Sequence, residues 1–214
     1  MAKTKQPTAS HPQALSVGER ETLQQLCQRL NLHTWDVLII GDGSGTTWDR
    51  ASGWACVLID RYLSARRDFC GGVSLGSINF AELMPYFQAL LWYDHFYQAA
   101  WKARQSFLRV TILTDHKALV DQATQAADDK RPLPAAQEPL WAAFRQLLRM
   151  GYLITFVWQP RDTSDINRAC DILSKDCRKT VEAVRDNLDK QRWVDPASKA
   201  DTNIYDINPL VKPG

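Results

Sequence analysis

Two apolar runs constrain this chain most: Val37-Leu38-Ile39-Ile40 leads into Asp42 of GDGSG, and Val110-Thr111-Ile112-Leu113 leads into Asp115 of ILTDHKALV. Runs of that length, rich in β-branched residues, read as core strands. Between and after them lie segments of helical period, so strands and helices have to share one core, as in an α/β domain. At 214 residues with 45% hydrophobic content, the chain is long enough for one such domain plus extensions.

Residues 1–12 read as a flexible arm, and Ser16 with Glu19 makes a capping box before an amphipathic stretch with Leu23, Leu26 and Leu30. Residues 36–62 read as strand, turn and strand: DVLIIGD, a polar loop through Asp49, then GWACVLID, most simply paired as a hairpin. A third short strand is expected at 67–73, before the Gly-Ser turn at Gly76 and Ser77. Residues 80–104 place Leu83, Met84, Phe87, Leu90 and Leu91 at helical spacing. Pro85 lacks the amide a helix interior needs, so the helix is expected to begin near Ala81 or Glu82, with Glu82 in its first turn. A buried strand RVTILTD follows, then a short helix at 116–124, a polar proline-containing loop at 128–134 and a helix at 138–150. Gly151 stops that helix, YLITFVW forms a strand, residues 159–164 a loop, and residues 165–192 a final helix. The tail at 193–214 is polar and proline-bounded and reads as disordered or as a surface strap.

Composition excludes several classes. A net charge of +2 is too mild to signal nucleic acid by itself, so any phosphate binding has to come from local clusters. Five cysteines without CxxC spacing argue against a disulfide framework or a zinc site. No stretch approaches 18 apolar residues and the first twelve are unlike a signal peptide, so the expected location is cytoplasmic.

Four carboxylates in four predicted elements carry the chemistry: Asp42, Glu82 in NFAELM, Asp115, and Asp171 in NRACDIL. A charge ending an apolar run costs several kcal/mol of desolvation unless a cation neutralises it. No lysine or arginine stands immediately beside Asp42 in the chain. Oxygen ligands suit a hard divalent ion such as magnesium, and two such ions about 3.5–4 Å apart polarise a phosphate and activate water. Taken singly, each acid has a plainer reading. Asp42 would be a turn residue, Glu82 a capping partner of Asn79, Asp115 an N-cap and Asp171 a solvated helix residue.

Taken together, DGS after the first core strand, N-x-x-E-L-M at the long helix, T-D-x-x-x-L and N-x-x-x-D in the last helix resemble ribonuclease H, over roughly residues 35–174. The resemblance implies a ribonuclease H-like α/β fold: a mixed five-stranded sheet flanked by helices, here at 35–192, with an N-terminal helical extension at 13–34 and a C-terminal tail. It implies endonucleolytic hydrolysis of the RNA strand of RNA/DNA hybrids with two Mg2+ ions, Mn2+ being an alternative. Asp42 would bridge both ions, Glu82 and Asp115 would hold the ion on the leaving-group side, and Asp171 the one with the attacking water. Gly43 and Ser44 would let the nucleic acid approach, and Asn79 would contact the hybrid's minor groove, where 2′-hydroxyls distinguish RNA. Asn167 stands four residues before Asp171, as in the family pattern. The hybrid is the implied partner, with a reverse transcriptase or other polymerase as a further one.

This chain departs from the pattern in two places. Arg161 falls where many members have a loop histidine, and an arginine is no proton shuttle, though it can stabilise leaving-group charge. The basic protrusion of some bacterial members is absent from the short 125–138 segment. Two alternatives stay open: a DNA-acting relative, such as a junction resolvase or transposase core, and a degenerate nucleic-acid-binding module. DGSGTT also resembles the phosphate loop of actin-like ATPases, but 214 residues do not supply their two domains. His116 is expected to face solvent in the first turn of its helix, Trp54, Trp92, Trp101 and Trp141 to be core, Arg61, Arg66 and Arg67 to line a sheet edge or phosphate stripe, and Lys175, Arg178, Lys179 and Arg185 to form a solvated face, with nucleic-acid contact as the alternative.

Overall fold

A computed structural model describes residues 22–45, 50–62, 65–74, 76–102, 107–127 and 138–192. The expected arm at 1–12, the Ser16 capping box, the 128–134 loop, the Trp101 side chain and the tail from 193 lie outside the described residues. Ten elements follow in order: α1 (Leu23–Arg29), β1 (Val37–Ser44), β2 (Ser52–Asp60), β3 (Ala65–Val73), α2 (Ile78–Lys102), β4 (Leu108–Thr114), α3 (Lys117–Ala127), α4 (Glu138–Arg149), β5 (Tyr152–Trp158) and α5 (Asp165–Arg192). The strands form one mixed sheet in the order β3-β2-β1-β4-β5. β1, β2 and β3 are antiparallel neighbours, while β4 and β5 run parallel to β1. Among the described residues no helix is long and apolar enough to cross a membrane.

β1 is central and buried along its whole length, which is why its sequence is a continuous apolar run rather than an alternation. Its odd-numbered side chains, Val37 and Ile39, join the larger core with Leu83 and Tyr86 of α2, Leu119 of α3 and Trp141 and Phe144 of α4. Its even-numbered ones, Leu38 and Ile40, face the other way, against Leu26 of α1 and Ile166 of α5. The period of two along the strand thus divides the helices into two layers. α1 begins at Thr22, whose hydroxyl accepts from the Gln25 amide while the Gln25 side chain accepts from the Thr22 amide.

The third strand is longer than the poor periodicity of its sequence indicates, pairing with β2 in register from Ala65 to Val73. α2 begins at Ile78 and not near Ala81, and Pro85 lies inside it. Ser77 starts the helix earlier: its Oγ accepts from the Phe80 amide and its carbonyl from the Ala81 amide. Glu82 therefore sits in the second turn, without a capping role. Trp54 and Trp141 are core and Trp92 is half-buried against it, as expected. Arg66 and Arg67 lie exposed on the edge strand β3, Arg66 paired with Asp68, while Arg61 and Arg67 stack over Trp35 and Trp92.

Candidate active site

The parallel strands β1, β4 and β5 end at the same edge of the sheet, and their register assembles the site. Ile40 pairs with Leu113, so two residues on, Asp42 stands opposite Asp115. Beyond this pair the strands part, and the buried Tyr86 hydroxyl fills the fork, donating to the carbonyls of Gly41 (2.8 Å) and Leu113 (3.1 Å). Asp115 is held further by its own carbonyl, which accepts from Trp158 Nε1 at 3.1 Å. Glu82 arrives from α2, because Gly43 lets that helix lie on the strand: a Cβ at Gly43 would stand 2.5 Å from both Ala81 C and Glu82 N. Asp42 and Glu82 are 1% and 4% exposed. Asp42, Glu82 and Asp115 each offer an oxygen, all within 4.8 Å of one another. Asp171 approaches Asp42 from α5, outside that group of three.

Such crowding shifts every proton affinity. Burial, then the charges of Asp115 and Asp171, push the Asp42 carboxyl up to about 7 against the pull of Arg161. Burial followed by Asp42 and Asp115 raises Glu82 well above the carboxylate range. Burial likewise raises Asp115, with Arg161 and His116 opposing. Burial acts in the same sense on Asp171, but Lys175, 2.6 Å from its Oδ2, outweighs it and holds that carboxyl below its usual range.

The cation missing beside Asp42 in the sequence comes from the 159–164 loop. Arg161 places Nε 3.2 Å from Asp115 Oδ2 and Nη2 3.5 Å from Asp171 Oδ1 and 4.0 Å from Asp42 Oδ2. One guanidinium, with Lys175 on Asp171, against four carboxylates leaves the cluster short of positive charge. Both Asp42 oxygens, Glu82 Oε2 and Asp171 Oδ1 are buried without a hydrogen-bond partner. A compact set of carboxylate oxygens with so little positive charge and hydrogen bonding against it is the donor set of a hard divalent cation, and these residues fit such an ion.

The fold around this site has known counterparts. The N-terminal RNase H domain of Rv2228c from Mycobacterium tuberculosis superposes with a TM-score of 0.53 at 18% identity, over 71% of this chain and 99% of that one. LC11-RNase H1, isolated from compost by a metagenomic approach, gives 0.53 at 16% identity over 69% and 98%. The same protein in complex with an RNA/DNA hybrid gives 0.51 at 18% identity over 67% and 97%. The chain has the ribonuclease H fold. No family model and no curated protein matches its sequence.

Within the ribonuclease H fold the remaining expected residues fall as follows. Ser44 is the buried last residue of β1 and lines a cleft of about 480 Å³ with Gly43, Gly45, Glu82, Asp115, His116, Arg161, Lys175 and Arg178. Asn79 is half-buried in the first turn of α2. Asn167 is buried; its Oδ1 accepts from the Asp162 amide, pinning the loop that carries Arg161 where Asp162 has φ +57°. His116 faces solvent only in part: it precedes α3, is half-buried at the cleft, and its Nδ1 lies 3.9 Å from Glu82 Oε1. Tyr86 as the clamp on the strand fork was not foreseen in the sequence, and of the run read as a solvated face or a nucleic-acid contact, Lys175 and Arg178 line the cleft. The signals were the four-residue spacings Glu82 to Tyr86 and Asp171 to Lys175, which put each pair on one helix face.

Proposed function

We propose that the chain is a metal-dependent endonuclease that hydrolyses the RNA strand of RNA/DNA hybrids. The observation that carries this reading is the trio Asp42, Glu82 and Asp115, with oxygens within 4.8 Å and both Asp42 oxygens buried without a hydrogen-bond partner. Asp42, Glu82 and Asp115 would hold one divalent ion, and Asp42 with Asp171 a second. Ions held there would supply polarisation of the phosphodiester and activation of water at neutral pH. The protein's own part is placement: the β1–β4 register and the Tyr86 clamp fix the two aspartates, and Gly43 fixes Glu82. Arg161, 58% exposed, is free to leave its carboxylates for a phosphate or a departing oxygen as ions enter. Asn79, next in the chain to the cleft-lining Ile78, would read the 2′-hydroxyl.

One observation favours a second reading, a binding module without turnover: the same guanidinium already spans three of the four acids. Incubating the chain with end-labelled RNA/DNA hybrid, duplex RNA, duplex DNA and a four-way junction, in magnesium, manganese or chelator, separates the cases. Metal-dependent cutting confined to the hybrid's RNA strand is expected. Cutting of DNA or of the junction would reassign the substrate, and binding without cutting would support the module. A link to a reverse transcriptase or other polymerase belongs to the same proposal, tested by cleavage with and without the polymerase present.

A further inference from the structure

Ser44 at the end of β1 pairs across the sheet with Gly53 of β2. A Cβ at Gly53 would stand 2.1 Å from Ser174 O, 2.5 Å from Arg178 N and 3.1 Å from Arg178 Cα, so α5 rests its backbone directly on the sheet there. That approach sets Arg178 beside Ser44. Asp42 and Ser44, two apart on a strand, project from the same face, the one α5 covers. On α5, Asp171, Lys175 and Arg178 are spaced i, i+4, i+7 and form one stripe above them, with Arg178 about 10 Å along the axis from Asp171.

The stripe's three side chains are not equivalent. Lys175 is committed to Asp171 at 2.6 Å. Arg178 is half-buried at the cleft wall, and its Nε is buried with no hydrogen-bond partner. A buried guanidinium N–H without an acceptor is costly, and an incoming oxyanion relieves it. The planar fork of donors matches a phosphate's oxygens, and the neighbouring Ser44 hydroxyl adds another donor. We propose that Arg178, with Ser44, binds a backbone phosphate of the nucleic-acid strand within about three nucleotides of the cleaved bond, given a rise of about 3.4 Å per nucleotide. This inference rests on the nuclease reading and deepens it: the acids at one end of the cleft cut, and the arginine at the other end fixes where the strand lies.

The test walks single neutral methylphosphonate linkages along a short hybrid and compares wild type with Arg178→Gln and Arg178→Lys by steady-state cleavage in magnesium. One flanking linkage is expected to raise the wild-type KM about tenfold, the scale of a charge-assisted hydrogen bond, with kcat nearly unchanged. Arg178→Gln should show that raised KM on the unmodified hybrid and no further loss at that linkage, with a binding salt slope lower by about 0.7–0.9. Arg178→Lys, which keeps the charge and the fold but loses the fork, should fall between. Variants as sensitive as wild type to every linkage would overturn the proposal while the nuclease reading stands. A wild type that neither binds nor cuts nucleic acid would overturn both.

Discussion

Arg161 Nε lies 3.2 Å from Asp115 Oδ2, and the same guanidinium reaches toward Asp171 and Asp42, so one exposed loop arginine serves as counter-ion to a buried acid cluster. A divalent ion entering that cluster competes with it for the same oxygens. Replacing the arginine by glutamine removes the competitor and also the charge partner that Asp42 and Asp115 share. Arg161→Gln should therefore bind Mg2+ or Mn2+ several-fold more tightly by isothermal titration, yet melt lower than wild type in chelator. Weaker metal binding in the variant would show that Arg161 assists the ion instead of standing in for it.

Asp42→Asn keeps the side chain's volume and removes a charge from a site where Asp115 and Asp171 already press against it. In chelator at pH 8 the variant should be more stable than wild type, because a crowded buried carboxylate is gone. Cleavage and the magnesium-induced rise in melting temperature should both disappear, and Asp115→Asn should behave alike. Wild-type cleavage rates in either variant would refute the metal assignment, whatever the melting curves show.

The raised proton affinities fix a pH dependence and its sign. Asp42 keeps its proton to about 7 in the folded chain, against about 4 for an unfolded aspartate. Between those values the folded state binds more protons, so stability in chelator falls as pH rises through the window, with Glu82 and Asp115 acting in the same direction. Asp171, held low by Lys175, has the opposite sign, but its contribution is complete above about 4. Ions bind the deprotonated oxygens, so the stabilisation by magnesium should grow from pH 5.5 to pH 8. Thermal melts across that range, with and without the ion, check both slopes; a melting temperature that climbs with pH in chelator would contradict them.

What the sequence made legible was whatever depends on local pattern. The runs at 37–40 and 110–113, the Gly151 stop and the helix at 165–192 are written in apolar period and in glycine, and they stand where expected. The four acids were legible because each sits in a short motif at an element boundary. Lost from view were features that depend on a partner far along the chain. β3 is defined by its register with β2 and not by its own alternation. The start of α2 hinged on Ser77, whose cap outweighs the amide that Pro85 lacks and begins the helix at Ile78. His116 was expected in solvent because it stands at the first turn of a helix, yet the fold brings Glu82 to within 3.9 Å of it. Arg161 was placed by counting, but only the β4–β5 pairing and the Asn167 bond to Asp162 show that its guanidinium turns back onto the acids.

Gly43 joins stability to chemistry in a single position. A methyl group there would meet Ala81 C and Glu82 N at 2.5 Å and Ala81 O at 2.7 Å, all backbone atoms of α2 that have no rotamer by which to escape. The helix would have to withdraw from β1, at a cost of about 1–3 kcal/mol for an overpacked contact. Glu82 rides on that part of the helix, and a shift of a few tenths of an ångström would spread the three oxygens that now lie within 4.8 Å. Gly43→Ala is thus expected to lower the melting temperature in chelator and, separately, to weaken Mn2+ binding, measured by titration well below the melting transition. A variant that loses stability but binds the ion as wild type does would confine Gly43 to packing and leave the position of Glu82 to be set by Ser77 and the rest of α2.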